Sequence, residues 1–179
     1  MPHIELSSGV QLFHTVQYSA SASAERYDFT VLLLHGLGST HTYYEPIIPS
    51  LLTSSRAVRI VRIDTEGSGF SRLSEVSASS VGNGGSGNQS IKGIGLQAFE
   101  ALGRLSRSTE PEKVVVVGHS MSGITACEMA VLGSWTAEDG GNRGGVQVVG
   151  AVLIGPVVPS GVIERVFMDR IDAVRNGMC

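Results

Sequence analysis

Cysteine is scarce, with only Cys127 and Cys179 in 179 residues. That excludes a disulfide-stapled scaffold, and the two are read as free thiols. Charge is sparse as well, at 16%, with no basic excess: the formal net charge is −3 and the sequence pI about 5.9. A nucleic-acid binder needs a basic face, so that class is set aside. Aromatics make up only 6%, and Phe99, Trp135 and Phe167 are read as packing residues. No apolar run approaches the roughly 18 residues of a membrane span. Met1 to Val10 lacks the basic-then-apolar order of a secretory leader. The expectation is a soluble, cytoplasmic protein that binds neither membrane nor nucleic acid. No Cys/His cluster has metal-ligand spacing, so neither a metal nor a cofactor is implied.

The apolar fraction of 42% and the mean hydropathy of +0.17 argue against global disorder. The length suits one domain with a hydrophobic core. Glycine and serine occur 23 times each. From Ser74 to Ser90, 12 of 17 residues are Ser, Gly or Asn, and from Gly140 to Gly145 four of six are Gly. These stretches, about 74–90 and 136–146, read as flexible surface insertions.

Two short strands are expected at His3–Leu6 and Val10–Tyr18, joined by Ser7-Ser8-Gly9. Phe29 to Leu34 is a continuous apolar run, as in a strand buried on both faces. An irregular helix follows around Tyr43 to Leu52, interrupted by Pro46 and Pro49. Ala57–Ile63 is a further strand. Ser90 to Ser106 has helical spacing, with Ser90 as its cap. Lys113–Val117, with its four consecutive valines, is another strand, a helix follows to about Leu132, and Val148–Ile154 is the last strand. Strands alternating with helices imply an α/β fold with a mostly parallel sheet flanked by helices. Ligands in such sheets bind beyond the carboxyl ends of the strands.

Polar punctuation falls at those ends. Gly118-His119-Ser120-Met121-Ser122 lies directly between the valine strand and a helix. A serine attacks a carbonyl only when a base takes its proton and donors hold the oxyanion. A sharp strand-to-helix turn exposes Oγ and aims backbone N–H groups at the substrate. The bare pattern arises by chance about 0.7 times in a chain of this composition. The flanking strand and helix give it weight. His35-Gly36-Leu37-Gly38 follows a buried strand in the same way, so the Leu37 and Met121 amides are candidate oxyanion donors. Asp64-Thr65-Glu66-Gly67-Ser68-Gly69-Phe70-Ser71 is a third Gly-rich turn. It fits neither phosphate-binding motif, which makes a nucleotide-binding domain the least favoured reading.

Together, Leu33-Leu34-His35-Gly36, Asp64-x-x-Gly67-x-Gly69-x-Ser71 and Gly118-His119-Ser120-Met121-Ser122-Gly123 resemble the α/β-hydrolases, in order and over nearly the whole chain. Leu153-Ile154-Gly155-Pro156 and the segment from Arg170 to Met178 are similar to the start of the cap in 3-oxoadipate enol-lactonases. The resemblance implies an N-terminal part of the hydrolase core over 1–159 and the start of a helical cap over 160–179. It implies Ser120 as nucleophile, Leu37 and Met121 as oxyanion-hole amides, and a small ester or lactone substrate. Ser122 stands where the pattern has Gly, a departure expected to matter little.

A larger departure concerns the base. In this fold the chain order is nucleophile, acid, histidine. The histidines here are His3, His14, His35, His41 and His119, all before Ser120. His35 reads as a structural residue bonding nearby backbone, and His119 as pointing away from the nucleophile. The general base and the catalytic acid are therefore both assigned to no residue. Losing a triad member removes on the order of 10⁴ to 10⁶ in rate. The expectation is a hydrolase fold with little turnover in this polypeptide, as a truncated product or a catalytically silent binding module. Acyl transfer in place of hydrolysis stays open. The Val148–Ile154 strand should lie at a sheet edge, which predicts a thin stability margin and a tendency to aggregate. Cys127 is expected to be a small buried hydrophobe.

Overall fold

The computed structural model describes residues 2–73, 90–106, 110–133 and 145–156. Six strands form one sheet: β1 His3–Glu5, β2 Gln11–Tyr18, β3 Phe29–Leu34, β4 Val58–Ile63, β5 Glu112–His119 and β6 Val146–Ile154. Their spatial order is β1-β2-β4-β3-β5-β6. β1, β2 and β4 pair antiparallel, whereas β4, β3, β5 and β6 run parallel. The two insertions, apart from Ser90, Gly145 and Val146, lie outside the described residues, as do Trp135, Phe167 and the segment 160–179.

The interior parallel strands β4, β3 and β5 carry Val, Ile and Leu on both faces because both faces are covered. On one face Leu32, Leu34, Val61, Ile63, Val114 and Val116 pack against two helices, α2 Ile91–Leu105 and α3 Met121–Gly133. On the other, Val31, Leu33, Val58, Ile60 and Val117 meet Tyr44 and Ile48. Those two belong to a 3₁₀ segment, His41–Ile47, and a short helix, α1 Ile48–Leu52. The prolines account for the irregularity: Pro46 lies inside the 3₁₀ turn, and Pro49 sits at the start of α1, where a missing N–H costs nothing.

α2 starts where its cap predicts, with Ser90 Oγ accepting from the Gly93 N–H at 3.0 Å. α3 turns Ser122, Gly123, Thr125, Ala126 and Met129 inward. Cys127 falls off that face and is exposed, which corrects the expectation of a buried thiol. β6 is an edge strand of the sheet formed by the described residues, and Val149, Val152, Leu153 and Ile154 are exposed on it.

The register sets the site. Leu34 lies opposite Ile63 on one side and Gly118 on the other, so three strands end at one level. His35, Asp64 and Ser120 follow those ends directly. Tyr44 is 2% exposed, and its hydroxyl donates to the Leu34 carbonyl at 2.8 Å, with the Val117 carbonyl at 3.4 Å. It closes the gap between the ends of β3 and β5. Burial pushes its phenol pKa upward.

Candidate active site

Ser120 occupies the turn from β5 into α3. Its φ of 54° is the one positive value at a non-glycine residue among the described residues. For an L-residue that conformation costs of order 1–3 kcal/mol and persists only where the surroundings impose it. The surroundings here are tight. A Cβ on Gly118 would stand 1.9 Å from the Ser122 carbonyl oxygen, so strand and helix meet there only without a side chain. The Ser120 N–H donates to the Ile154 carbonyl at 3.0 Å, and the Gly123 N–H donates to the Ser120 carbonyl at 3.0 Å. Backbone bonds thus hold the bend on both sides. Ser120 is half-buried, and its Oγ makes no hydrogen bond among the described residues.

The turn after β3 abuts this bend. A Cβ on Gly36 would lie 3.0 Å from Ser120 Cβ and 3.2 Å from the His119 carbonyl oxygen. Leu37 follows, 60% exposed. Neither the Leu37 nor the Met121 N–H has an acceptor among the described residues. The two sequence-predicted donors thus lie in the two turns that meet at Ser120, without an acceptor among the described residues.

Ser122 ties the two turns together. It is fully buried, and its Oγ donates to the His35 carbonyl at 2.5 Å. The departure from Gly is thus a specific contact and not merely a tolerated one. The His35 ring is also committed to backbone. Nδ1 donates to the Gly36 carbonyl at 2.8 Å, and Nε2 accepts from the Thr65 N–H at 3.1 Å. Burial, the largest effect, holds its pKa below the ordinary histidine value and keeps the ring neutral. His119 turns its ring onto Tyr43, stacked at 4.0 Å between centroids and 19° between planes.

Sequence reasoning did not find the hub of this region. Asp64 is fully buried. Its Oδ1 accepts from the His41 N–H at 2.6 Å and from His41 Nδ1 at 2.9 Å, while Oδ2 accepts from the Phe70 N–H at 3.0 Å. Three donors satisfy the carboxylate and lash the 3₁₀ segment to the Gly-rich turn after β4. Gly69, at φ +53°, is required there, because a Cβ would come within 2.1 Å of Asp64 Oδ2. The signal was present in the Asp64-x-x-Gly67-x-Gly69 pattern, but its partner His41 lies 23 residues away in an irregular segment.

No imidazole hydrogen-bonds Ser120 Oγ among the described residues. Nor do the described residues contain a group of three or more His, Cys, Asp or Glu side chains able to hold a metal ion. No helix among them is long and apolar enough to cross a membrane.

A mostly parallel sheet, with a strained serine turn beyond the carboxyl end of one of its strands, places the chain in the α/β class. The comparison with known sequences makes that specific. Residues 31–176 match the alpha/beta hydrolase family, and the chain belongs to it. No curated protein matches the chain. Among solved structures, the fold resembles a carboxylesterase from Nitrososphaera gargenis with a TM-score of 0.68 and 18% identity, over 97% of this chain and 53% of that one. It also resembles an enol-lactonase from Burkholderia xenovorans LB400, at TM-score 0.54 and 19% identity, over 72% of this chain and 41% of that one. An esterase from Exiguobacterium antarcticum matches at TM-score 0.59 and 17% identity, over 86% of this chain and 44% of that one. The chain thus spans about half the length of these solved structures. At such identities the likeness establishes the fold.

Proposed function

We propose that Ser120 is the nucleophile position of a carboxylic ester or lactone hydrolase, with the Leu37 and Met121 amides as its oxyanion hole. The observation that carries this reading is the positive φ of Ser120 on a strand-to-helix bend against the Gly36 turn, with its Oγ and the Leu37 and Met121 N–H groups unbonded among the described residues. Esterases and an enol-lactonase among the structural neighbours support acyl chemistry on a small substrate. In such a step Oγ bonds to the carbonyl carbon, the carbonyl oxygen becomes an oxyanion facing the two amides, and the hydroxyl proton passes to a base. Residues 1–179 contribute no imidazole to that last role. The polypeptide is therefore weak in turnover, lower by about 10⁴-fold or more than a complete triad would be.

The test is a fluorophosphonate probe on residues 1–179. Slow modification that disappears in Ser120→Ala supports the reading. Modification that persists in Ser120→Ala places the reactive group elsewhere and defeats it. A silent binding module is the second reading, favoured by the same lack of a base. Saturable retention of an ester by wild type and Ser120→Ala alike, with no acylation, would establish it.

A further inference from the structure

Two consecutive peptide units lead from the end of β3 to the Leu37 N–H, and a side chain holds each of them. The first is His35–Gly36, whose carbonyl accepts from Ser122 Oγ at 2.5 Å. The second is Gly36–Leu37, whose carbonyl accepts from His35 Nδ1 at 2.8 Å and from the Ser39 N–H at 3.2 Å. The Thr65 N–H donates to His35 Nε2 at 3.1 Å, which leaves the ring proton on Nδ1 for the Gly36 carbonyl. The peptide bonds of the described residues are trans. A trans peptide is planar, with its C=O and N–H directed oppositely, so whatever fixes the Gly36 carbonyl also fixes the direction of the Leu37 N–H.

Ser122 acts on this turn from the other side. It follows Met121 directly, in the first turn of α3, and its side chain is fully buried. Its hydroxyl ties the element that carries the Met121 N–H to the turn that carries the Leu37 N–H. Gly36 has no side chain to brace that turn, and a Cβ there would stand 2.9 Å from His119 Nδ1 and 3.0 Å from Ser120 Cβ. Glycine also leaves the backbone free to rotate, so a bond from outside the turn is what confines it. A glycine at position 122, as in the strict motif, would supply no such bond.

We infer that Ser122 is a positioning residue: its hydrogen bond to the His35 carbonyl sets the direction and spacing of the Leu37 amide relative to Met121 and Ser120. This rests on the nucleophile reading of Ser120 given above. The competing role is purely structural, that of a buried hydroxyl holding α3 on the sheet. Ser71 is the matched case, since its Oγ donates to the Asp64 carbonyl at 2.6 Å in the turn after β4, which carries neither amide.

Residues 1–179, labelled with nitrogen-15, are treated with a fluorophosphonate at pH 9 as wild type, Ser122→Ala and Ser71→Ala. Ser120 Oγ bonds to phosphorus, fluoride leaves, and the hydroxyl proton passes to solvent. The modification rate and the amide NMR spectrum of the adduct are recorded. In the wild-type adduct the phosphonyl oxygen accepts from both amides, so the Leu37 and Met121 proton resonances move downfield. Ser122→Ala is expected to react about tenfold more slowly and to lose most of the Leu37 displacement while keeping that of Met121. Ser71→Ala is expected to stay within about twofold of the wild-type rate, with both displacements intact. Should Ser122→Ala not fold, Ser122→Cys, which offers only a weak S–H donor, takes its place and shows the same losses in smaller measure. A wild-type rate and Leu37 displacement in the Ser122 variant, or an equal loss in Ser71→Ala, would overturn the inference and leave the nucleophile reading standing. Absence of a Ser120 adduct in wild type would defeat that reading and this inference with it.

Discussion

Gly118→Ala tests the geometry of the bend without touching its chemistry. The new Cβ would meet the Ser122 carbonyl oxygen at 1.9 Å, the Ser122 carbonyl carbon at 2.4 Å and the Gly123 nitrogen at 2.7 Å. All three are backbone atoms in the first turn of α3, so no side chain can swing aside. Reaching even a 3.0 Å approach moves that turn by about 1.1 Å relative to β5. Such a shift strains the Ser120–Ile154 and Gly123–Ser120 bonds that hold the bend. Overpacking of this kind costs about 1–3 kcal/mol, and the rigid partners put this case near the upper end. With a urea slope of about 2 kcal/mol/M for a domain of this size, the midpoint falls by about 1.5 M. Gly150→Ala on β6 is the control, because its nearest neighbour would be Val115 Cγ2 at 3.8 Å. It should leave the midpoint within about 0.3 M of wild type. Equal midpoints for the two variants would refute the close approach of strand and helix on which the site rests.

Ser122→Gly restores the residue expected from the motif, yet it should destabilise by about 1–2 kcal/mol in urea titration, because it removes the buried donor to the His35 carbonyl. A gain in stability would contradict that. His35 and His14 both have pKa values lowered chiefly by burial, so the unfolded chain binds the extra protons. Their contribution to stability is complete above the unfolded value near 6.5 and is lost as the pH falls below it. Stability measured from pH 7.5 to 5.5 should therefore decline, more steeply in wild type than in His35→Gln; a flat profile would refute this. Arg59→Met strands the buried Glu112 charge and should cost about 3–5 kcal/mol, whereas Arg59→Met with Glu112→Leu should recover most of the loss. A double variant as unstable as the single one would show the ion pair to be more than mutual neutralisation.

Some of this architecture was legible in the residues and some was not. β3 was readable to its ends because a strand covered on both faces is mainly apolar, with Thr30 as its one polar residue, and Asp28 and His35 bound it. The bend at Ser120 was readable from the valines before it and the helix after it. β5 runs longer than its valines suggest, because Glu112 is a strand residue whose charge is met by Arg59 across the sheet. Cys127 was misplaced for a related reason. The inward face of α3 is built of Ser, Gly, Thr and Ala as much as of large hydrophobes, so apolar spacing does not reveal it. The His41–Asp64 contact joins an irregular segment to a strand end, and no local pattern announces a pairing made by tertiary folding.

The pH dependence of Ser120 modification tests most directly the proposal that Ser120 is presented as a nucleophile and that residues 1–179 give it no imidazole base. Residues 1–179 are treated with a fluorophosphonate from pH 6 to 9, and the adduct is located by mass spectrometry. The account predicts a single site, Ser120, and a rate that climbs about tenfold per pH unit without an inflection, as expected of an unassisted hydroxyl. A plateau above neutral pH would reveal an imidazole-like base at Ser120 Oγ, and an adduct on any other residue would remove the serine from its assigned role.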